Sequence, residues 1–377
     1  MRLVMHKIKL AFVCLFIAIT HVNAADRFTG PWKLDEIKQT PSATFGAPKK
    51  PDDGVVEVFY ESVPLKGKAT RVFGYYAQPS SGKGPFPAMV LVHGGGGHAF
   101  AEWAKLWADR GYVALAMDLS GRGPDGKRLP DGGPEQSDDE KFRDFATSEA
   151  DQIWTYHAVS AAIKAHSLLA SRPEVDKNRI GVTGISWGGY LTCIIAGVDE
   201  RFKVAVPVYG CGYLDENSAW LESRFKKMGP AKSKQWSDLF DPSRYLPGVT
   251  CPILFVNGTN DFAYPMDSYQ KSYQLVKKTP VDLCVTVNMP HGHPQGWAPK
   301  EIGLFVDNIL TSGPALPRFD TPIVEGTRVF AEINNNRSPR SAKLHYTTDT
   351  GPWQTRKWTT EDTKVDLLRV TGDLPET

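Results

Sequence analysis

The residues Gly184-Ile185-Ser186-Trp187-Gly188 combine a nucleophile with the spacing that can activate it. A serine hydroxyl attacks carbonyl carbon poorly unless it is exposed and given a base. The pattern Gly-x-Ser-x-Gly meets the first need where a strand enters and a helix leaves. The turn between them is too sharp for side chains at the glycine positions. It lifts the serine oxygen above the sheet edge, beside the free N–H groups of a helix N-terminus, which favour negative charge. Here Arg179–Gly184 reads as a strand and Gly188–Gly197 as a short helix, so the context fits.

The base and its orienting carboxylate should follow in the chain order serine, acid, histidine. The apolar run Ile253–Val256 leads into Asn257-Gly-Thr-Asn-Asp261, which makes Asp261 the acid; its other reading is a turn-capping aspartate. The histidine belongs in the loop after the last strand, read as Leu283–Val287, where Pro290-His291-Gly292-His293-Pro294 offers two. His293 is the expected base. It lies five residues past a strand end placed at Asn288, whereas His291 lies three past it, and the loop needs length to turn back over the sheet. A histidine pair on a metal is the third possibility, without a carboxylate or cysteine cluster to support it.

A tetrahedral intermediate also needs N–H donors for its oxyanion. Trp187 should give one, and Gly94 or Gly95, in the loop His93-Gly-Gly-Gly-Gly97, the other. That loop lacks the Gly-Lys-Ser/Thr ending of a phosphate loop and the spacing of a dinucleotide fingerprint. His93 itself reads as a structural hydrogen-bonding residue.

These groups need a scaffold of buried parallel strands, and the chain reads as one. Ala88–Val92, Tyr112–Met117, Arg179–Gly184, Val204–Val208, Ile253–Val256 and Leu283–Val287 are short apolar runs of the kind buried on both faces of a sheet. Helical patterns lie between them at Ala99–Arg110, Ser148–Leu169 and Pro299–Leu310. Strand–helix alternation implies an α/β fold with a mostly parallel central sheet and helices on both faces. Two strands within Gly54–Ala77 precede the alternation. Residues 213–246 interrupt it with Trp220, Phe225, Trp236 and Phe240, as a lid-like helical insertion, a pocket wall or a packing appendix. Past Gly313 the helical period ends. Strand-like pieces at Thr327–Ile333, Ala342–Thr348 and Val365–Val370 suggest a small C-terminal β-rich domain over 320–377, expected to be incomplete.

At 377 residues the chain has room for two domains of roughly 100–200 residues each. Arg2, Lys7 and Lys9 precede an apolar run from Leu10 to Thr20, and Val22-Asn23-Ala24 ends in a small residue. This reads as a cleaved signal peptide over 1–24, because about 11 apolar residues cannot span ~30 Å of hydrocarbon. Its loss would remove three positive charges and no acid, taking the net charge from +2 to −1. The expectation is a secreted or periplasmic protein without stable membrane insertion after cleavage, and with no electrostatic reason to bind nucleic acid. Residues 25–54 form a lead-in and 55–313 the catalytic unit. Cys193, Cys211, Cys251 and Cys284, scattered in a large unit, are expected to be mostly buried free thiols.

The sequences Asp118-Leu-Ser-Gly-Arg-Gly, Gly184-Ile-Ser-Trp-Gly-Gly-Tyr and Asn257-Gly-Thr-Asn-Asp, with the histidine loop, resemble the α/β-hydrolase superfamily. They look most like its prolyl-oligopeptidase-like and acetyl-xylan-esterase-like branch. The resemblance covers about Val55 to Gly313 and implies a Ser–Asp–His hydrolase acting on esters or peptides. Ser186 would be the nucleophile, Asp261 the acid and His293 the base, with no metal or organic cofactor. Peptidases of that branch usually carry a large N-terminal β-propeller, for which the residues before the core are too few. The favoured expectation is a secreted carboxylic-ester hydrolase acting on a small ester or an acylated carbohydrate, with the insertion's aromatic residues available for stacking. The alternatives are a small exported serine peptidase and a binding protein on a hydrolase scaffold, which would have no chemical need for all three residues.

Overall fold

The computed structural model describes residues 27–47, 54–334 and 339–375. The expected signal peptide, 1–24, lies outside them.

Nine strands form the main sheet: β1 (Ala43–Phe45), β2 (Val55–Glu61), β3 (Arg71–Ala77), β4 (Phe86–Val92), β5 (Val113–Met117), β6 (Val175–Ile185), β7 (Ala205–Val208), β8 (Ile253–Gly258) and β9 (Val281–Thr286). Their order is β1-β2-β3-β5-β4-β6-β7-β8-β9. The strands from β5 through β4 to β9 run parallel, and β1 to β3 pair antiparallel at one edge. All residues of β5, β7 and β8 are buried, which requires cover on both faces of the sheet. That cover includes the helices α1 (Ala101–Asp109), α2 (Trp154–Ala170) and α3 (Trp187–Val198). α1 buries Trp103, Ala104, Trp107 and Ala108 on one stripe; α3 is buried all round.

The chain lays β5 on one side of β4 and β6 on the other. Strand order reverses there, and a crevice opens outside the carboxyl ends of the strands at such a point. The loop after β4 and the turn after β6 face each other across it.

The expected long helix from Ser148 is divided. Thr147–Gln152 is a 3₁₀ turn, Ile153 is extended, and α2 begins at Trp154. The insertion folds into short helical turns and α4 (Pro230–Phe240). Its aromatic residues turn inward: Trp220, Phe225, Trp236 and Phe240 are all buried. Trp236 stacks on Phe142 at 5.2 Å, and its indole N–H donates to the Lys141 carbonyl at 2.8 Å. The expectation that these rings offer stacking surfaces to a substrate is therefore corrected, because their faces are consumed by packing.

Further along are α5 (Met266–Tyr273), α6 (His293–Trp297) and α7 (Lys300–Thr311). Beyond them come β10 (Ile323–Glu325), β11 (Arg328–Glu332), β12 (Lys343–Tyr346), β13 (Thr359–Asp362), β14 (Lys364–Asp366) and β15 (Arg369–Asp373). They pair as an antiparallel sheet β10-β11-β15-β14 and a ribbon β12-β13. Val365–Val370, read as one strand, is a hairpin in which Val365 faces Val370 and Leu367 takes φ +52°. Arg318 anchors this region to β9 through a two-bond ion pair with Asp282, both distances 2.6 Å. Cys193, Cys211, Cys251 and Cys284 are free thiols, the first three buried.

Candidate active site

Ser186 stands between β6 and α3 with φ 58° and ψ −117°, a conformation costly for a residue with a side chain. Two contacts hold it: its N–H donates to the Val208 carbonyl, and its carbonyl accepts from Tyr190 N–H, both at 2.9 Å. The flanking glycines are steric requirements. A Cβ on Gly188 would overlap the Val92 carbonyl, and one on Gly184 the Gly188 carbonyl. The turn is thus compressed between β4 and its own helix, as the five-residue spacing implied.

Asp261 follows β8 and is fully buried as a side chain. Its Oδ1 accepts the N–H groups of Ala263 at 2.9 Å and Tyr264 at 2.8 Å. Its Oδ2 lies 2.6 Å from Nδ1 of His291. The expectation that His293 pairs with Asp261 is corrected by this contact. β9 ends at Thr286, two residues before the expected Asn288, so His291 is the residue five past the strand. Asn288 takes φ +53° and Met289 N–H closes back on the Thr286 carbonyl, so the chain turns early.

The His291 ring is fixed by its neighbours. Tyr209 stacks on it at 4.2 Å, and Phe262 meets it edge-on at 4.9 Å. Tyr209 directly follows Val208, the acceptor of the Ser186 N–H, which brings the histidine to the serine turn. A neutral ring that donates Nδ1–H to Asp261 keeps Nε2 as a lone pair, the tautomer a general base needs.

His293 has a different place. It opens α6, and its Nε2 accepts the Gly94 N–H at 3.0 Å. Burial, together with the nearby His93, His291 and His98, pushes its pKa down to about 4, so it is neutral near pH 7. It shapes the glycine loop. This corrects the expectation for Gly94 as well, because its N–H is already engaged. Gly95 N–H and Trp187 N–H make no hydrogen bond to other described residues, and they flank the serine turn. The Gly95 Cα position lies against the Trp187 ring, where an added Cβ would come within 3.2 Å.

His93 has the structural part expected of it. Its Nε2 accepts Leu119 N–H at 2.8 Å, and Nδ1–H donates to the Gly94 carbonyl at 2.7 Å. Burial lowers its pKa to about 4, so the neutral ring satisfies both nitrogens.

Tyr209, Phe262 and Tyr264 were not singled out from the sequence. Tyr264 is fully buried, its ring lies parallel to His291 at 6.4 Å and packs on Trp220 at 5.4 Å, and its hydroxyl faces Ser186. Phe262 and Tyr264 follow Asp261 by one and three residues, a signal available once the acid is assigned. Tyr209 had none, since it is placed by the pairing of β6 with β7. A cavity of about 530 Å³ is walled by Trp103, Trp107, Trp297 and Pro299, and none of the three candidate residues lines it. Among the described residues no group of three or more His, Cys, Asp or Glu side chains is placed to hold a metal ion.

Sequence comparison places this architecture in a family. Residues 72–294, more than half of the chain, match the dienelactone hydrolase family, and the chain belongs to that family of α/β-hydrolase fold. It stands among the carboxylic ester hydrolases. It is 24% identical over 310 residues to the acetyl esterase Axe7A of Xylanibacter ruminicola, covering 75% of this chain and 67% of that protein. It is 25% identical over 225 residues to the uncharacterized peptidase YuxL of Bacillus subtilis, covering 55% of this chain but only 31% of the relative. The fold is also that of the acetyl xylan esterase from Paenibacillus sp. R4, with a TM-score of 0.62, 20% identity, and coverage of 74% of this chain and 92% of that one.

Proposed function

We propose that the chain hydrolyses short-acyl carboxylic esters through Ser186, His291 and Asp261, by way of an acyl-enzyme. The observation that carries this reading is the 2.6 Å contact between Asp261 and His291 beside a strained Ser186. Ser186 attacks the ester carbonyl as its proton passes to Nε2 of His291. Asp261, bonded to Nδ1–H, stabilises the imidazolium. The oxyanion is held by the N–H groups of Trp187 and Gly95. His291 returns the proton to the leaving alcohol, and water repeats the sequence to free the acid.

Packing around the serine supports a small acyl group. Trp187, next to Ser186, and Tyr264, whose hydroxyl faces it, are both buried and both pack on Trp220, so aromatic rings wall this side of the serine. The likeness to an acetyl esterase agrees, and acetylated carbohydrate is the natural substrate class to test. Export follows from the basic and apolar N-terminus, and would be checked by sequencing the first residue of protein recovered outside the cytoplasm, with Ala25 expected.

The activity test is hydrolysis of p-nitrophenyl acetate, butyrate and octanoate beside an aminoacyl-p-nitroanilide panel, with Ser186→Ala as control. Ester turnover falling with acyl length and lost in the variant is expected. Anilide cleavage at comparable efficiency would make the protein a peptidase, and ester turnover that survives Ser186→Ala would overturn the mechanism.

A further inference from the structure

The C-terminal β unit reaches the loop of Asp261 at the residue beside it. Asn260 directs its amide nitrogen at three carbonyls of one turn: Trp353 at 3.2 Å, Gln354 at 3.3 Å and Arg356 at 2.7 Å. Its amide oxygen accepts the Thr259 hydroxyl at 2.7 Å. The same Thr259 oxygen accepts the N–H of Asn288 at 3.0 Å, at the turn that leads to His291. Thr259 and Asn260 therefore join three segments: the acid loop, the histidine loop and a turn more than 90 residues away. The turn is braced from within. Arg356 donates through Nε to the Gly351 carbonyl at 2.8 Å, and its guanidinium lies 3.6 Å over the Trp353 ring.

The bonds from Ala263 and Tyr264 to the Asp261 carboxylate are internal to the loop and do not place the loop as a whole. Outside ties come from the sheet, where Thr259 N–H meets the Thr286 carbonyl and the Asn257 amide donates to the Tyr264 carbonyl at 3.0 Å, from Asn288 N–H on the Thr259 hydroxyl, from Ala219 N–H on the Ala263 carbonyl, and from Asn260. Only the last comes from the β unit. A carboxylate must stay within hydrogen-bond reach of Nδ1 to act, and misplacing a group by about 1 Å can cost about a hundredfold in rate.

We propose that the C-terminal β unit is a working part of the active site. Its Trp353–Arg356 turn, gripped by Asn260, sets the loop that presents Asp261 to His291, and Asn260 is a positioning residue. This rests on the Ser186–His291–Asp261 reading above.

The test uses the full chain, with Asn260→Ala, Arg356→Ala and the double variant assayed on p-nitrophenyl acetate. Each single change is expected to lower kcat by about ten- to a hundredfold with KM little changed. Arg356→Ala keeps the backbone carbonyl that Asn260 grips but unbraces the turn that presents it, so the double variant should be no slower than the slower single, because both act through the same connection. Thermal melts identify a variant that fails to fold. Arg356→Ala acts from the far side of the contact and decides the matter alone if Asn260→Ala misfolds. Wild-type kcat in the folded variants, or losses that multiply in the double variant, would overturn the proposal. If Ser186→Ala is inactive while these variants keep wild-type kcat, only the role of the β unit falls; if Ser186→Ala stays active, the triad reading falls first.

Discussion

A neutral imidazole that donates Nδ1–H to a carboxylate keeps its Nε2 lone pair for a proton. Of His93, His291 and His293, His291 is the one whose Nδ1 meets a carboxylate, whereas His93 spends both nitrogens on the backbone and His293 accepts from Gly94. His291→Ala should therefore lower kcat/KM by about four orders of magnitude, and His293→Ala by at least about a hundredfold less. Steady-state kinetics on one ester would compare them, and a larger loss at His293 would reverse the assignment. Asp261→Asn should cost about 10⁴ in kcat with the fold intact, because an amide facing Nδ1 favours the wrong tautomer. Wild-type kcat in that variant would remove Asp261 from the mechanism.

At the scale of elements, the insertion is bound to the body of the molecule by aromatic packing. Trp236 sits among Phe142, Phe225 and Phe240, with its indole N–H satisfied by Lys141. Trp236→Ala should cost about 3–5 kcal/mol of stability. A urea titration should show a lower midpoint at unchanged slope. A loss below about 1 kcal/mol would mean that the insertion packs loosely and is free to act as a lid.

At the scale of the whole molecule, buried histidines link stability to pH. His93 and His166 are buried, and burial, reinforced at His166 by the Arg201 cation, lowers both from 6.5 to about 4. The unfolded chain therefore binds more protons than the folded one between those values. Stability is full above about pH 6.5 and is lost as pH falls toward 4, by an amount on the order of 3 kcal/mol for each histidine. Urea midpoints at pH 7.5, 5.5 and 4.5 would measure the fall, and a flat profile would contradict it. His166→Phe should flatten part of the slope, since its ring already packs on Phe202 at 4.7 Å.

Local chemistry determined much of this protein in advance. Gly184 and Gly188 announced the serine turn because no side chain fits against Val92 and Gly188 carbonyls. The apolar runs announced parallel strands, because only strands covered on both faces lack polar alternation. Asp261 was legible from its place after β8. What tertiary structure decided lies where two distant pieces meet. The pairing of Asp261 with His291 rather than His293 turned on a strand ending at Thr286, set by the pairing of β9 with β8 and an early turn at Asn288. The availability of Gly95 rather than Gly94 followed from where His293 came to rest. The inward burial of the insertion's aromatic rings, and the grip of Asn260 on the Trp353–Arg356 turn, depend on partners far away in the chain. Periodicity reports which face of an element is apolar; which partner covers that face is a property of the packed whole.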